Sequence, residues 1–287
     1  MKRLIALLTL LCLLCGCGSQ TAQTPDSTGP AVLTDMTTET QQSGDGLIAL
    51  EPTDRETTAV TEADPPAPGQ HQAAYTVLES DSSIRNDNGD VLVDIRYQRV
   101  ILDTGTDPDW ANINDRILED CNRFREDVAY LRDTPVEDWE QMLQDMGMVY
   151  GNLMAWCGAK VTHNSGGIFS ICMTREWYLG GVYNSDPYGL NFDLTTGEVL
   201  HLARLSDLPA EEFEEQLKGM VCDALAKDFD ALFGDPAEVL ETYTLDTMDF
   251  YMDEGELILT FPTYTFGPGS LGPTVIRTGL HPRLQEK

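Results

Sequence analysis

Residues 74–287 read as an α+β domain: antiparallel sheet, in one or more sheets built from hairpins, with two long helices packed on one face. Three observations predict it. Apolar and polar residues alternate with a period of two through Tyr188, Leu190 and Phe192, and the pattern resumes after Leu194-Thr-Thr-Gly197 at Val199. Apolar residues spaced three and four apart mark two helical stretches, one starting near Trp110 and one near Phe213. The order strands, helix, strands, helix, strands then favours helices segregated on one side of an antiparallel sheet.

Before that domain lie two segments of different character. Lys2 and Arg3 precede an apolar run from Leu4 to Leu14, which ends in Leu14-Cys-Gly-Cys17. Eleven apolar residues fall short of the roughly 20 needed to span a bilayer core, so 1–16 read as a lipoprotein signal peptide. The small residues ahead of Cys17 resemble a bacterial lipobox, which implies a diacylated Cys17 as the mature N-terminus. The chain is then expected to be extracytoplasmic and lipid-anchored to the bacterial cell membrane, two or more acyl chains holding it far longer than one. Residues 17–73 are rich in Thr, Gln, Ser, Asp, Glu, Gly and Pro and read as a disordered acidic tether. A chain of that length spans roughly 40 Å on average.

The net charge is −30 for the whole chain and −24 for residues 74–287. Nucleic acid and anionic lipid both demand basic surface, so neither is an expected ligand, whereas a cationic partner is favoured.

Within the domain, residues 74–150 form a β-β-α module and 151–287 a second α+β module, expected to make one compact unit. Ala74 to Glu79 gives a strand, and Asn86-Asp-Asn-Gly89 turns the chain into a second with Val91, Val93, Ile95 and Tyr97 on one face. The turn looks like a calcium loop, but Ile84 and Ile95 occupy the first and last ligand positions, so no metal is expected. Asp107-Pro108 opens a helix whose buried stripe is Trp110, Ile113, Ile117, Cys121, Phe124, Val128 and Leu131. A short helix follows from Pro135 to Gly147. Leu153–Thr162 and Ile168–Tyr178 flank His163-Asn-Ser-Gly-Gly167 and are expected to pair across a four-residue loop, which sets Cys157 opposite Cys172. At that separation the two are either a disulfide or two adjacent buried thiols. The second long helix begins at Pro209 with Phe213, Leu217, Met220, Val221, Leu225 and Phe229 inward. Phe250–Phe261 is a hairpin, and Thr274–Thr278 a last strand; both are expected to extend the same sheet.

Chemistry is sparse. His71, His163, His201 and His281 have no metal-ligand spacing, and neither a nucleophile elbow nor a phosphate loop is present. No catalytic residue and no cofactor is therefore expected. Trp156, Trp177, Tyr178 and Tyr183 are the candidate partner contacts, because aromatic side chains dominate binding hot spots.

Several motifs together resemble a known family. Asn191-Phe-Asp-Leu-Thr-Thr-Gly-Glu-Val-Leu200, Ser170-Ile-Cys-Met173 with Tyr178-Leu-Gly-Gly181, and Phe250-Tyr-Met-Asp-Glu-Gly-Glu-Leu257 with Tyr264 and Gly267-Pro268 are similar to the extracytoplasmic domain of anti-sigma-V factors (RsiV-like), a domain also found beside polysaccharide deacetylase domains. The resemblance covers about residues 74–280. It implies a non-catalytic surface domain that recognises a lysozyme-like protein; the alternative is an accessory factor that binds or modifies peptidoglycan. The chain departs from the pattern after Gly181, where Val182-Tyr183 stands in place of a small residue and His. Only Met1 to Arg3 precede the apolar run, so sigma control by a cytoplasmic segment is not expected.

Overall fold

In the computed structural model, residues 55–57, 72–105 and 107–284 are described, and all of them fall within one compact unit, Leu50–Lys287. Cys17 and residues 1–16, read above as a signal peptide, lie outside them. The fold is α+β and its larger sheet is eight-stranded. Strands β1 (Arg55–Thr57), β2 (Tyr75–Asp81), β4 (Val91–Leu102), β5 (Leu153–Ser165), β6 (Ile168–Tyr178), β7 (Asn184–Asp193) and β8 (Glu198–Val199) follow one another across it, and β3 (Ile84–Arg85) pairs with β4. Three residues of the stretch read as tether thus add an edge strand, Arg55 to Thr57 pairing with Asp81 to Glu79.

The sheet is mixed, which the hairpin reading missed. β4 and β5 run parallel, with Ile95 beside Ala155 and Tyr97 beside Cys157. A parallel pair needs a crossover, and the helices supply it: α1 (Trp110–Asp127), α2 (Ala129–Arg132) and α3 (Val136–Asp145). The expected stripe of α1 and α2 is buried throughout, from Trp110 to Leu131, against Leu92, Ile95, Phe169 and Ile171. Burial of each such side chain contributes about 1.5–3 kcal/mol. The crossover is also tied by polar contacts: Asn114 accepts from the Leu102 amide at 2.8 Å and donates to the Leu102 carbonyl at 2.9 Å, while the Trp110 indole donates to the Leu194 carbonyl.

The last part of the chain does not extend this sheet. β9 (Asp249–Asp253), β10 (Glu256–Phe261) and β11 (Thr274–Arg277) form a separate three-stranded sheet. Its hairpin turns at Glu254 and Gly255, both at positive φ, as a two-residue turn between right-twisted strands requires. α4 (Ala210–Leu225) closes a second core with Phe213, Leu217 and Val221 against Leu257, Leu259 and Phe261. The helices are therefore divided between two cores rather than gathered on one face, and α3, at ten residues, joins the two longer ones. A short helix, α5 (Pro236–Leu240), starts at Asp235, whose side chain accepts from the Ala237 amide.

The edge of β9 rests on the face of β6 and β7. Asn191 donates to the Phe250 carbonyl at 2.6 Å, Ser170 donates to Asn191 at 2.6 Å, and the Met252 amide donates to Ser170 at 2.8 Å. This buried chain satisfies backbone groups that β10 leaves unpaired. Gly189 lies under the same contact, where a Cβ would stand 1.5 Å from the Phe250 oxygen.

Candidate functional site

The hairpin of β5 and β6 corrects the sequence register. Its loop is two residues, Gly166 and Gly167, both at positive φ, so Ser165 faces Ile168. A bulge between Val161 and His163 then shifts the pairing, placing Cys157 opposite Arg175 and Cys172 opposite Lys160. Since alternate residues point to opposite faces, Cys157 lies under α1 and Cys172 toward Tyr251 of β9. Both are free, as are Cys121 and Cys222, so neither the disulfide nor the adjacent-thiol arrangement is formed.

Cys157 instead belongs to a polar cluster between α1, β6 and β7. The Tyr188 hydroxyl donates to Asp120 at 2.6 Å and lies 3.7 Å from the Cys157 sulfur. Arg175 stacks 5.1 Å over the Tyr188 ring and pairs with Asp127 at 3.0 Å. Burial pushes the Cys157 thiol up to about 11 and raises the Tyr188 hydroxyl above its ordinary range, with the Cys157 and Asp120 charges adding to the latter. Both groups hold their protons at neutral pH, the reverse of an activated nucleophile. The cluster orients strands. Among the described residues no group of three or more His, Cys, Asp or Glu is placed to hold a metal.

Trp156 and Trp177, two of the expected contacts, line one pocket of about 200 Å³ beside Phe124, Tyr130 and Leu179. Arg96 stacks 5.6 Å over the Trp156 ring, and the buried Trp156 indole nitrogen has no hydrogen-bond partner among the described residues. Glu176, opposite Trp156 on β6, accepts from the hydroxyl of Tyr183, which is 51% exposed. Tyr178 is half-buried opposite Met154. By alternation Trp177, opposite Ala155, lies on the α1 face of the sheet, whereas Trp156 and Glu176, which holds Tyr183, lie on the other face, so the expected contacts are not gathered into one patch.

The second feature was not anticipated. β8 pairs only with Phe192 and Asp193, after which Leu200 donates to the Asn191 carbonyl and the chain leaves as a 3-10 turn, Leu202–Leu205. Leu200 and Leu202 go into the second core, which cuts short the strand expected there. Ahead of Phe192 the outer edge of β7 is open, and a pocket of about 360 Å³ lies along it, with α1 on one side and the stretch Leu245–Phe250 on the other. Arg116, Glu119 and Arg123 line the α1 wall, Asp246 and Asp249 the other. The crowding of protein around Asp249, with the Asp120 charge added, raises its carboxyl. The signal for this edge was Pro187: a residue with no amide proton inside an alternating run is confined to a strand edge.

No family model matches the chain and no curated protein matches it. Among solved structures it is similar to a DUF3298 family member from Bacteroides fragilis, at TM-score 0.47 and 12% identity over 72% of this chain and 91% of that one. It is also similar to a DUF3298 family protein from Pseudomonas aeruginosa, at TM-score 0.41 and 16% identity over 75% of this chain and 91% of that one. Among the described residues no helix is long and apolar enough to cross a membrane.

Proposed function

We propose that the chain is a lipid-anchored surface protein whose domain binds a cationic extracytoplasmic protein of the lysozyme-like muramidase class and catalyses nothing. The observation that carries this reading is the charge of −24 on residues 74–287, which draws in a cationic partner and repels polyanions. Exposed Tyr183, held by Glu176 on the face that carries Trp156, supports it by offering an aromatic anchor where charge alone gives only unselective adhesion. The resemblance of its motifs to lysozyme-recognising domains names the partner class. Calorimetry of the full-length protein with hen lysozyme at about 150 mM salt tests it, since the Debye length of about 8 Å there suppresses loose charge pairing. A saturable complex is the expected result. Absence of heat at tens of micromolar, with retention on purified peptidoglycan, overturns it in favour of wall binding.

A further inference from the structure

Deepening the binding reading, we infer that the open outer edge of β7 is a strand-addition site that takes an extended, basic polypeptide segment into the slot between α1 and the Leu245–Phe250 stretch. The Asn191 carbonyl points outward, since it accepts from Leu200 of the chain that follows β8. Alternation then turns the amide and carbonyl of Gly189, and the carbonyl of Pro187, the same way, with no strand opposite them among the described residues. The register of the small sheet leaves this edge free, because β9 rests on the face of β7 and not beside it. An incoming strand continues the line that β8 abandons at Leu200 and meets about three or four residues of β7, with Pro187 ending the ladder as a residue that cannot donate.

Charge selects the occupant. On the α1 wall, Glu119 contacts both Arg116, at 2.8 Å, and Arg123, at 3.9 Å, so its charge and part of theirs offset one another. On the opposite wall Asp246 and Asp249 are exposed and make no ion pair with any described residue. A Lys or Arg on the incoming strand reaches these carboxylates, whereas an acidic segment meets them unscreened. Main-chain bonds supply the grip and the acidic wall the preference, as in other cases of strand addition.

The test uses the full-length protein and the synthetic peptide acetyl-Thr-Lys-Val-Lys-Val-Thr-amide. Hydrogen exchange resolved to single amides is expected to show Gly189 slowed by the peptide. A peptide methylated on the backbone nitrogens of one edge should bind about tenfold or more weakly, since it loses the ladder but keeps its charge. Exchanging its lysines for glutamate should abolish binding, and the D246N/D249N double variant should weaken the lysine peptide while leaving a glutamine version unchanged. Equal binding by the methylated peptide, or an unslowed Gly189 amide in the complex, overturns the site. Protection that grows with protein concentration in the absence of peptide assigns the edge to a second copy and overturns the occupant. Lysozyme binding with the Gly189 amide unaffected sinks this inference alone, and peptide protection without lysozyme binding sinks only the choice of partner.

Discussion

Gly189 and Asn191 occupy alternate positions of one strand and do two halves of one task. Glycine lets β9 come close, and asparagine holds it there with a 2.6 Å bond to the Phe250 carbonyl. Gly189→Ala forces a Cβ into that oxygen and should destabilise the domain by about 3 kcal/mol or more, read as a shift in denaturant midpoint. Asn191→Ala orphans the Phe250 carbonyl and one Ser170 contact, for a loss of about 1–3 kcal/mol. Asp249 behaves oppositely. Its carboxyl is raised in the fold, so the ionised form is disfavoured there; below the unfolded value near 3.8 both states are protonated and nothing is lost, while above the folded value the full penalty applies. Asp249→Asn should therefore stabilise at pH 7, by no more than about 0.5 kcal/mol because the group is solvent-exposed. That gain fades as pH falls through the folded value, and thermal melts at pH 7 and pH 3 check both halves. The period of two made Gly189 and Asn191 visible as one strand face; what pressed on that face came from a strand some 60 residues away in the chain, which no local pattern reveals.

Hairpins carry most of this architecture, and how far each was legible depended on its turn. At Glu254-Gly255 a two-residue turn followed directly from composition. At the β5–β6 tip the same two-residue geometry was hidden, because His163-Asn-Ser-Gly-Gly167 offers several places to turn and only the positive φ of Gly166 and Gly167 selects one. The cysteines followed the register. Alkylation of unreduced, unfolded protein should label Cys121, Cys157, Cys172 and Cys222; in the native state Cys157 and Cys121, pushed up to about 11 and about 12 by burial, should react far more slowly than half-buried Cys172 and Cys222. A native mass showing two of these four resistant to alkylation until reduction would contradict the register. Helices were read more faithfully, since a three-and-four spacing reports burial directly: the seven-residue stripe from Trp110 to Leu131 is buried in full. Which core each helix serves was not readable, because an apolar stripe does not name its partner. The parallel pairing of β4 with β5 escaped for a related reason, the crossover of three helical segments resembling a simple interruption between hairpins.

For the whole molecule the acid excess separates two contributions to binding that act at different distances. In the proposed complex, opposite net charge would work beyond contact and accelerate encounter, whereas Trp177 and Tyr183 would act only once surfaces meet. Neutralising exposed acids such as Glu211, Glu212 and Glu215 on α4, which packs in the second core, should lower the on-rate for lysozyme and flatten its salt dependence with little change in off-rate. Trp177→Ala should instead speed release about tenfold while association changes little, because a side chain acts only at contact range; it also opens the pocket that Trp177 lines beside Phe124 and Tyr130 in the free domain. Surface plasmon resonance over a salt series separates the two. Trp177 is half-buried and its truncation tests folding as well, so Tyr183→Phe, which removes only the hydroxyl that contacts Glu176, serves beside it. A release rate unaltered in both variants would move the contact surface away from this end of the sheet and leave the β7 edge as the place to look.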